Sequence, residues 1–429
     1  MQTTPPLQRC REIYAAVTVL LAILLSKTCY FGMAHIDVWQ WIYFGVCAFG
    51  MVFVLWKPRQ WVQPFLVVLP FLLLIAVNYA VHFRDMDLVM HTYELLGNAQ
   101  TLFFTLLATC FVGRRRFATY YIGWMAIFAV VSLVCFSLTF LCPDALRDVG
   151  DRFMPIFEDH YWYSPYYTWG WGANGEFYTR NSGPFFEPGA YQGYLLIAVL
   201  FLLSDVDEGR IPHRARKWLF LLFVGTILTT ASTTGYILLV LVLIFRARKI
   251  YGLFLEFPVW LRVVLAALVV GGTVVFVVLS RNVPDKINPD NGTFRGRFLH
   301  MTQGFYVCFD HPVFGYGYTF ARDAMRESVG IGIDDSSGLT AMTYAYGIPF
   351  GLYYLFRLWR GTAAAFGLRR MWEKVFYFVL FILLNLTEGI WIMPVYLFLL
   401  FSDGTFFPAG KESLPLPSSL LYKRTRGNT

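Results

Sequence analysis

Charge is what this chain has least of. Lys, Arg, Asp and Glu together make up 14% of its 429 residues, against roughly 25% in soluble proteins. With 57% hydrophobic residues and a mean hydropathy of +0.53, the deficit excludes an ordinary soluble domain and points to a membrane protein. Cysteine is present but unpatterned: the seven residues fall at no metal-ligand spacing. Cys142 and Cys308 both fall near the expected outer face, and a disulfide between them is given no structural weight. There is no internal repeat and no boundary of a soluble domain. The N-terminal apolar stretch lacks a small-residue cleavage site and reads as a first anchor helix.

Apolar sequence fills the chain instead. Runs of near-spanning length cover 13–31, 38–56, 61–81, 97–112, 119–141, 191–204, 218–229, 236–245, 263–280, 340–356 and 375–402. The last is too long for one upright helix, which needs about 20 residues. Thr387-Glu388-Gly389 is where it would fold into a hairpin with two short arms. Counting it as two gives about twelve spans, hence an all-α polytopic membrane protein. Basic residues fall on alternate connections: Arg9 and Arg11, Lys57 and Arg59, Arg114 to Arg116, Arg210 to Lys217, Arg246 to Lys249, Arg357 to Lys374, and Lys423 to Arg426. The positive-inside rule makes that face cytoplasmic and puts both termini inside. The net charge of +8 and pI of 9.0 follow from this bias and do not indicate a nucleic-acid partner.

The organisation expected is N-terminal spans in 1–142, a large outer loop in 143–189 and central spans in 190–280. A second large outer loop in 281–339, C-terminal spans in 340–404 and a cytoplasmic tail in 405–429 complete it. The tail, rich in Pro, Ser and basic residues, is expected to be disordered. Long loops between spans are usually functional or disordered, and these two are rich in Tyr, Trp, Gly and charge.

The first loop carries Tyr161-Trp-Tyr-Ser-Pro-Tyr-Tyr-Thr-Trp-Gly-Trp171. Its rings suit either a headgroup-level aromatic belt or a surface stacked on sugars. Trp169, Trp171 and, from the second loop, Tyr316 are the candidate glycan contacts. The loop ends in Arg180-Asn-Ser-Gly-Pro-Phe-Phe-Glu187 and runs straight into an apolar helix. Ionised groups at that depth are usually retained for a task. Arg180 suits an anionic head group, because a guanidinium fork matches phosphate oxygens. Glu187 suits proton acceptance. The structural alternative is an ion pair that pins the loop to the helix below.

The second loop carries Arg295-Gly-Arg297, two guanidiniums able to address one pyrophosphate, or else ordinary solvated charges. An amphipathic helix is expected over 298–309, followed by Asp310-His-Pro-Val-Phe-Gly-Tyr-Gly-Tyr318. A Gly-Tyr-Gly core does not make an ion filter, which needs four symmetric copies behind pore helices. His311 suits a turn cap or a base. Asp334-Asp335-Ser-Ser337 precedes the next span as an N-cap. It offers two carboxylates but no third ligand, so no metal and no other cofactor is expected.

In order and spacing these motifs resemble the O-antigen polymerase and ligase superfamily of bacterial surface-polysaccharide assembly. Four stretches carry the resemblance: Arg180-x-x-Gly183 with Phe-Glu-Pro, Thr229-Thr-Ala-Ser-Thr-Thr-Gly235, Arg297 leading to His311-Pro-Val-Phe-Gly-Tyr-Gly317, and Asp335-Ser336 ahead of Tyr346-Gly-Ile-Pro-Phe-Gly351. The resemblance implies a GT-C-like architecture in the bacterial inner membrane and an undecaprenyl-pyrophosphate-linked oligosaccharide as substrate. It also implies a chain-length co-polymerase as a partner besides membrane lipids. It puts Arg180 and Arg297, with Arg295 third, on pyrophosphate. Ligases of the superfamily carry a His-Asn pair where this chain has Asp335-Ser336, which favours a repeat-unit polymerase over a ligase. The expected reaction is metal-independent and inverting, with Glu187 the first candidate base and Asp335 and His311 behind it. A flippase would favour inverted halves, broken helices and charges within spans, whereas polar residues here concentrate in the outer loops.

Overall fold

A computed structural model describes residues 5–50, 59–83, 88–150, 161–163, 166–170, 180–204, 206, 209–255, 259–260, 302–317, 320–321, 323–324 and 337–403. The apolar runs within these residues are helical. Helix α1 (Pro5–Leu24) is followed by a π-helical turn (Tyr30–Ala34), α2 (Ile36–Gly50), α3 (Arg59–His82), α4 (Leu88–Val112), α5 (Arg114–Leu141) and α6 (Pro143–Gly150). A small antiparallel hairpin, β1 (Tyr161–Tyr163) and β2 (Thr168–Gly170), pairs Trp162 with Trp169. Then come α7 (Pro188–Ser204), α8 (His213–Thr229), α9 (Thr233–Phe245) and α10 (Ala247–Leu255). A short helix α11 spans 302–310. Last are α12 (Gly338–Tyr346), α13 (Ile348–Ala365), α14 (Met371–Thr387) and α15 (Pro394–Phe401). The run 263–280, most of the second loop and the tail 405–429 lie outside the described residues.

Among the described residues, two helices are long and apolar enough to cross a membrane: 19 residues of α3, Pro64–His82, and the 28 residues of α5, both with hydropathy 2.3. Only 28% and 33% of their apolar windows are buried. Leu66 and Leu73 on α3 and Val134 and Phe140 on α5 are exposed, apolar surface of the kind that lipid or a partner covers. Pro64 and Pro70 sit inside α3, which neighbouring helices tolerate in a bundle by re-satisfying the freed backbone groups. Proline also opens helices, at Pro143, Pro349 and Pro394, because a first-turn residue has no intrahelical partner for its N–H anyway.

Helix α7 is the axis of the bundle. Every residue from Pro188 to Leu203 is buried, as a helix that is apolar all round must be. It packs on α5, α8 and α9, while α15, equally buried, packs on α13, α4 and α1. Ring contacts knit the two regions together: Phe117 of α5 stacks on Phe398 of α15 with centroids 4.3 Å apart and meets Phe201 of α7 edge-on at 5.8 Å.

Basic segments that alternate along the sequence meet at one end. Glu12 binds Arg116 at 3.0 Å and Arg210 at 3.5 Å and accepts from Tyr120 at 2.6 Å. Arg114 donates to the Ala364 carbonyl, Lys249 to that of Leu203, and Arg246 pairs with Glu373 at 2.9 Å. Asp403, just after α15, takes Arg357 at 3.3 Å and Arg360 at 2.8 Å from α13.

Three apolar runs are interrupted, two of them read as single spans. The run 13–31 stops being α-helical at Leu24, because Lys27 takes φ +63° and turns the chain. The run 375–402 folds back over 388–393, as the position of Glu388-Gly389 suggested. The run 340–356 is broken at Gly347, contrary to the single span expected. Its φ of +93° lies where L side chains rarely go, and a Cβ there would stand 2.2 Å from the Val313 carbonyl oxygen. None of the seven cysteines forms a disulfide, Cys142 and Cys308 included.

Candidate functional site

The segment from Arg180 to Glu187 is fastened at both ends and in the middle. Asn181 donates its backbone N–H to the Thr229 carbonyl at 3.0 Å and its amide to Thr229 Oγ1 at 2.9 Å and Ser132 Oγ at 3.3 Å. Its own Oδ1 accepts from Gly183 N at 2.9 Å, closing an Asx-type turn. Arg180 Nε donates to the Thr230 carbonyl at 3.2 Å. The Arg-Asn-Ser-Gly turn is thereby locked to the break between α8 and α9, two motifs about fifty residues apart in sequence. Phe185 then drops into the core, fully buried and stacked on Tyr191 at 5.3 Å and Tyr194 at 4.8 Å. Phe186 faces outward, and Glu187 is left at the rim, with its carbonyl accepting from Tyr191 N at 3.1 Å.

The turn after α1 completes this edge. Cys29 N donates to the Pro184 carbonyl and Phe186 N to the Lys27 carbonyl, both at 3.0 Å. Lys27 Nζ stands 3.7 Å from Glu187 Oε1, with side chains 21% and 32% exposed. The ion pair pinning Glu187 is thus made with Lys27, which sequence reading had placed inside a span. Beneath it lies the α14–α15 turn with Glu388, 2% exposed. Gly189 lets this carboxylate approach: a Cβ there would lie 2.1 Å from Glu388 Oε1. The start of α12 reaches the same turn, since a Cβ on Gly338 would be 3.1 Å from Gly389 Cα and 2.6 Å from Asn385 Oδ1. Ser337 is the N-cap residue of α12.

The second pair of motifs also meets. Tyr316 N donates to the Tyr344 carbonyl at 2.8 Å and Gly317 N to that of Ala345 at 3.0 Å, so the Gly-Tyr-Gly loop fills the break between α12 and α13. Asn78 on α3 donates to the carbonyls of Phe314 and Ala345, and His82 Nε2 lies 2.9 Å from the Gly315 oxygen. These bonds satisfy backbone that a broken helix leaves unpaired. Helix α11 is amphipathic, with Val307 and Cys308 buried and Phe305, Tyr306 and Phe309 exposed.

The candidates chosen from sequence therefore separate. Arg180 and Glu187 share one edge. His311 is exposed, its ring edge-on to Tyr316 at 4.3 Å and its carbonyl capping the loop through Gly315 N. The Tyr316 hydroxyl donates to Asp310 at 3.3 Å, so this ring is held by the loop itself. Trp169 lies in β2. Arg295, Arg297, Asp335 and Trp171 lie outside the described residues. Lys27 and Glu388 were missed. The signal for Lys27 was a Ser-Lys-Thr stretch within an apolar run, and for Glu388 a carboxylate at a Gly turn. Among the described residues no three His, Cys, Asp or Glu side chains gather as metal ligands would.

An all-helical protein, with apolar helices long enough to cross a membrane and a charged edge at one set of helix ends, is the class these features define. No protein-family model, curated protein or solved structure matches the chain.

Proposed function

We propose that the chain is a multi-pass glycosyltransferase of the bacterial inner membrane, with about twelve spans, a GT-C-like arrangement and both termini cytoplasmic. It transfers a growing glycan from undecaprenyl pyrophosphate onto a new lipid-linked repeat unit, inverting the anomeric centre without metal. One observation carries this reading. Arg180, Glu187, the α8–α9 break and the Lys27 turn form a single braced edge at the ends of apolar helices. A guanidinium at one end of this segment and a carboxylate at the other would supply the two needs of the reaction: positive charge for the departing pyrophosphate and a base for the acceptor hydroxyl. Arg297 and Arg295 are assigned to the same pyrophosphate, Asp335 and His311 to reserve base roles, and Trp169, Trp171 and Tyr316 to the glycan. A chain-length co-polymerase is the assigned partner.

The test uses purified protein in liposomes with undecaprenyl-pyrophosphate-linked oligosaccharide from the source cells, followed by gel analysis with a chelator present. A product ladder that Arg180→Ala and Arg297→Ala abolish and the chelator spares is the expected result. A single transfer product would replace the polymerase with a ligase. One structural observation favours a second reading. Broken helices at Gly347 and at 388–393 are features of transporters whose half-helices frame a substrate. Movement of the lipid-linked sugar across the liposome bilayer without any new glycosidic bond would select that reading.

A further inference from the structure

Glu388 is an ionisable residue, 2% exposed, at the turn between α14 and the buried helix α15. Such a group is costly among apolar helices and is a functional candidate by default. The fold brings it to the edge already described from a third direction. Its Oε1 lies against the first turn of α7, where a Cβ on Gly189 would be 2.1 Å away. That place favours a carboxylate, because the helix N-terminus carries partial positive charge. Its neighbour Gly389 faces Lys27, whose Nζ is 3.7 Å from where a Gly389 Cβ would stand. The same Nζ is 3.7 Å from Glu187 Oε1. Lys27 therefore stands between the start of α7 and the α14–α15 turn, with a carboxylate on each. Among the described residues, the Cys29 thiol faces the trio and feels the charge of Glu187, and the Tyr194 hydroxyl feels that of Glu388.

We propose that Glu187, Lys27 and Glu388 form one charge group, and that Glu388 is the positioning residue that keeps Glu187 competent as a proton acceptor. The inference rests on the transferase reading for its chemistry, but the charge group itself does not. With one ammonium between two carboxylates, the trio carries one net negative charge. Lys27 paired with Glu187 alone would neutralise it and weaken it as a base. Sharing Lys27 with Glu388 leaves Glu187 with affinity for the proton. In the reaction the acceptor O–H breaks and its proton goes to a Glu187 oxygen. The acceptor oxygen bonds to the anomeric carbon, and the carbon–oxygen bond to pyrophosphate breaks with its electron pair leaving on the pyrophosphate. The proton then passes to water.

Two readouts on the full-length protein in liposomes test this: infrared titration of the carboxyl groups, with Glu187→Gln to assign the Glu187 band, and the pH–rate profile of sugar transfer. In Glu388→Gln, Lys27 acts on Glu187 alone. The Glu187 band and the acid limb of the profile should both move to lower pH by about one unit, with turnover at neutral pH falling about tenfold. Lys27→Met leaves two carboxylates facing each other and should move both to higher pH. Glu388→Asp should restore wild-type titration and serves as the folded control. Opposite shifts in the two variants support the proposal. A Glu187 band unmoved in Glu388→Gln, or moved the same way in both variants, overturns it. Opposite band shifts in a protein that transfers no sugar would uphold the charge group and sink the transferase reading. Transfer with unmoved bands would do the reverse.

Discussion

Replacing Asp403 with asparagine should loosen the packing of α15 on α13. Asp403 is 8% exposed and is shared by two guanidiniums of α13: Arg357, 3% exposed, at 3.3 Å, and Arg360, 39% exposed, at 2.8 Å. Removing one partner of a buried pair leaves the other charge poorly compensated and costs about 3–5 kcal/mol. Arg357 also donates to the Leu400 carbonyl at 3.4 Å, a bond that survives the change, so the lower end of that range applies. A loss of about 3 kcal/mol corresponds to roughly a hundred-fold in the unfolding equilibrium. Arg360→Ala removes the shorter contact, but from a solvated side chain, and should cost under about 1 kcal/mol. The ranking opposes the distances, which makes it diagnostic. Equilibrium denaturation of both variants in detergent, followed by tryptophan fluorescence, measures it. If Arg360→Ala destabilises as much as Asp403→Asn, burial is not what gives the pair its strength.

Three further outcomes are expected. Gly347→Ala forces φ +93° on an alanine and places its Cβ 2.2 Å from the Val313 oxygen. It should cost about 1–3 kcal/mol, and a melting temperature equal to wild type would refute the strain. Burial raises the proton affinity of Glu12, but its bonds to Tyr120 and Arg116 outweigh this and hold its pKa below the ordinary value. A folded value below the unfolded one gives stability that is present at neutral pH and lost as pH falls through the folded value. Glu12→Gln should therefore melt below wild type at pH 7, and the gap should close in acid; a gap constant with pH would refute this. Cys10 is exposed, so a membrane-impermeant maleimide should label it in inverted vesicles and not in intact cells, and the reverse pattern would overturn the proposed orientation.

Much of the helical framework was legible because burial in an apolar medium writes itself as composition. The run 61–81 becomes α3 over Arg59–His82, and 119–141 lies within α5 over Arg114–Leu141. Helix interruptions were less legible. Gly347-Ile-Pro349 held the signal for a break, a glycine two residues before a proline, yet it was masked by uninterrupted apolarity. Lys27 was masked in the same way: one charge in a nineteen-residue window (13–31) barely changes its average, although it turns the chain. The edge itself was half legible. Arg180 and Glu187 announced themselves as charges beside a span. That Asn181 ties the segment to both α5 and α8 follows from its short, two-sided amide. Glu388 joins the edge through a contact about two hundred residues away in sequence.

The enclosure of α7 has a consequence for how the chain is made. Its sixteen residues from Pro188 to Leu203 are covered partly by helices synthesised before it and partly by helices synthesised after it. The last of the buried helices, α15, closes against the first, with Val395 N bonded to Ser26 Oγ at 3.1 Å. The nascent bundle therefore stays open along α1, α4 and α13 until α15, which packs on all three, has been made. A chain truncated before that point would lack the helix that bonds to the turn after α1.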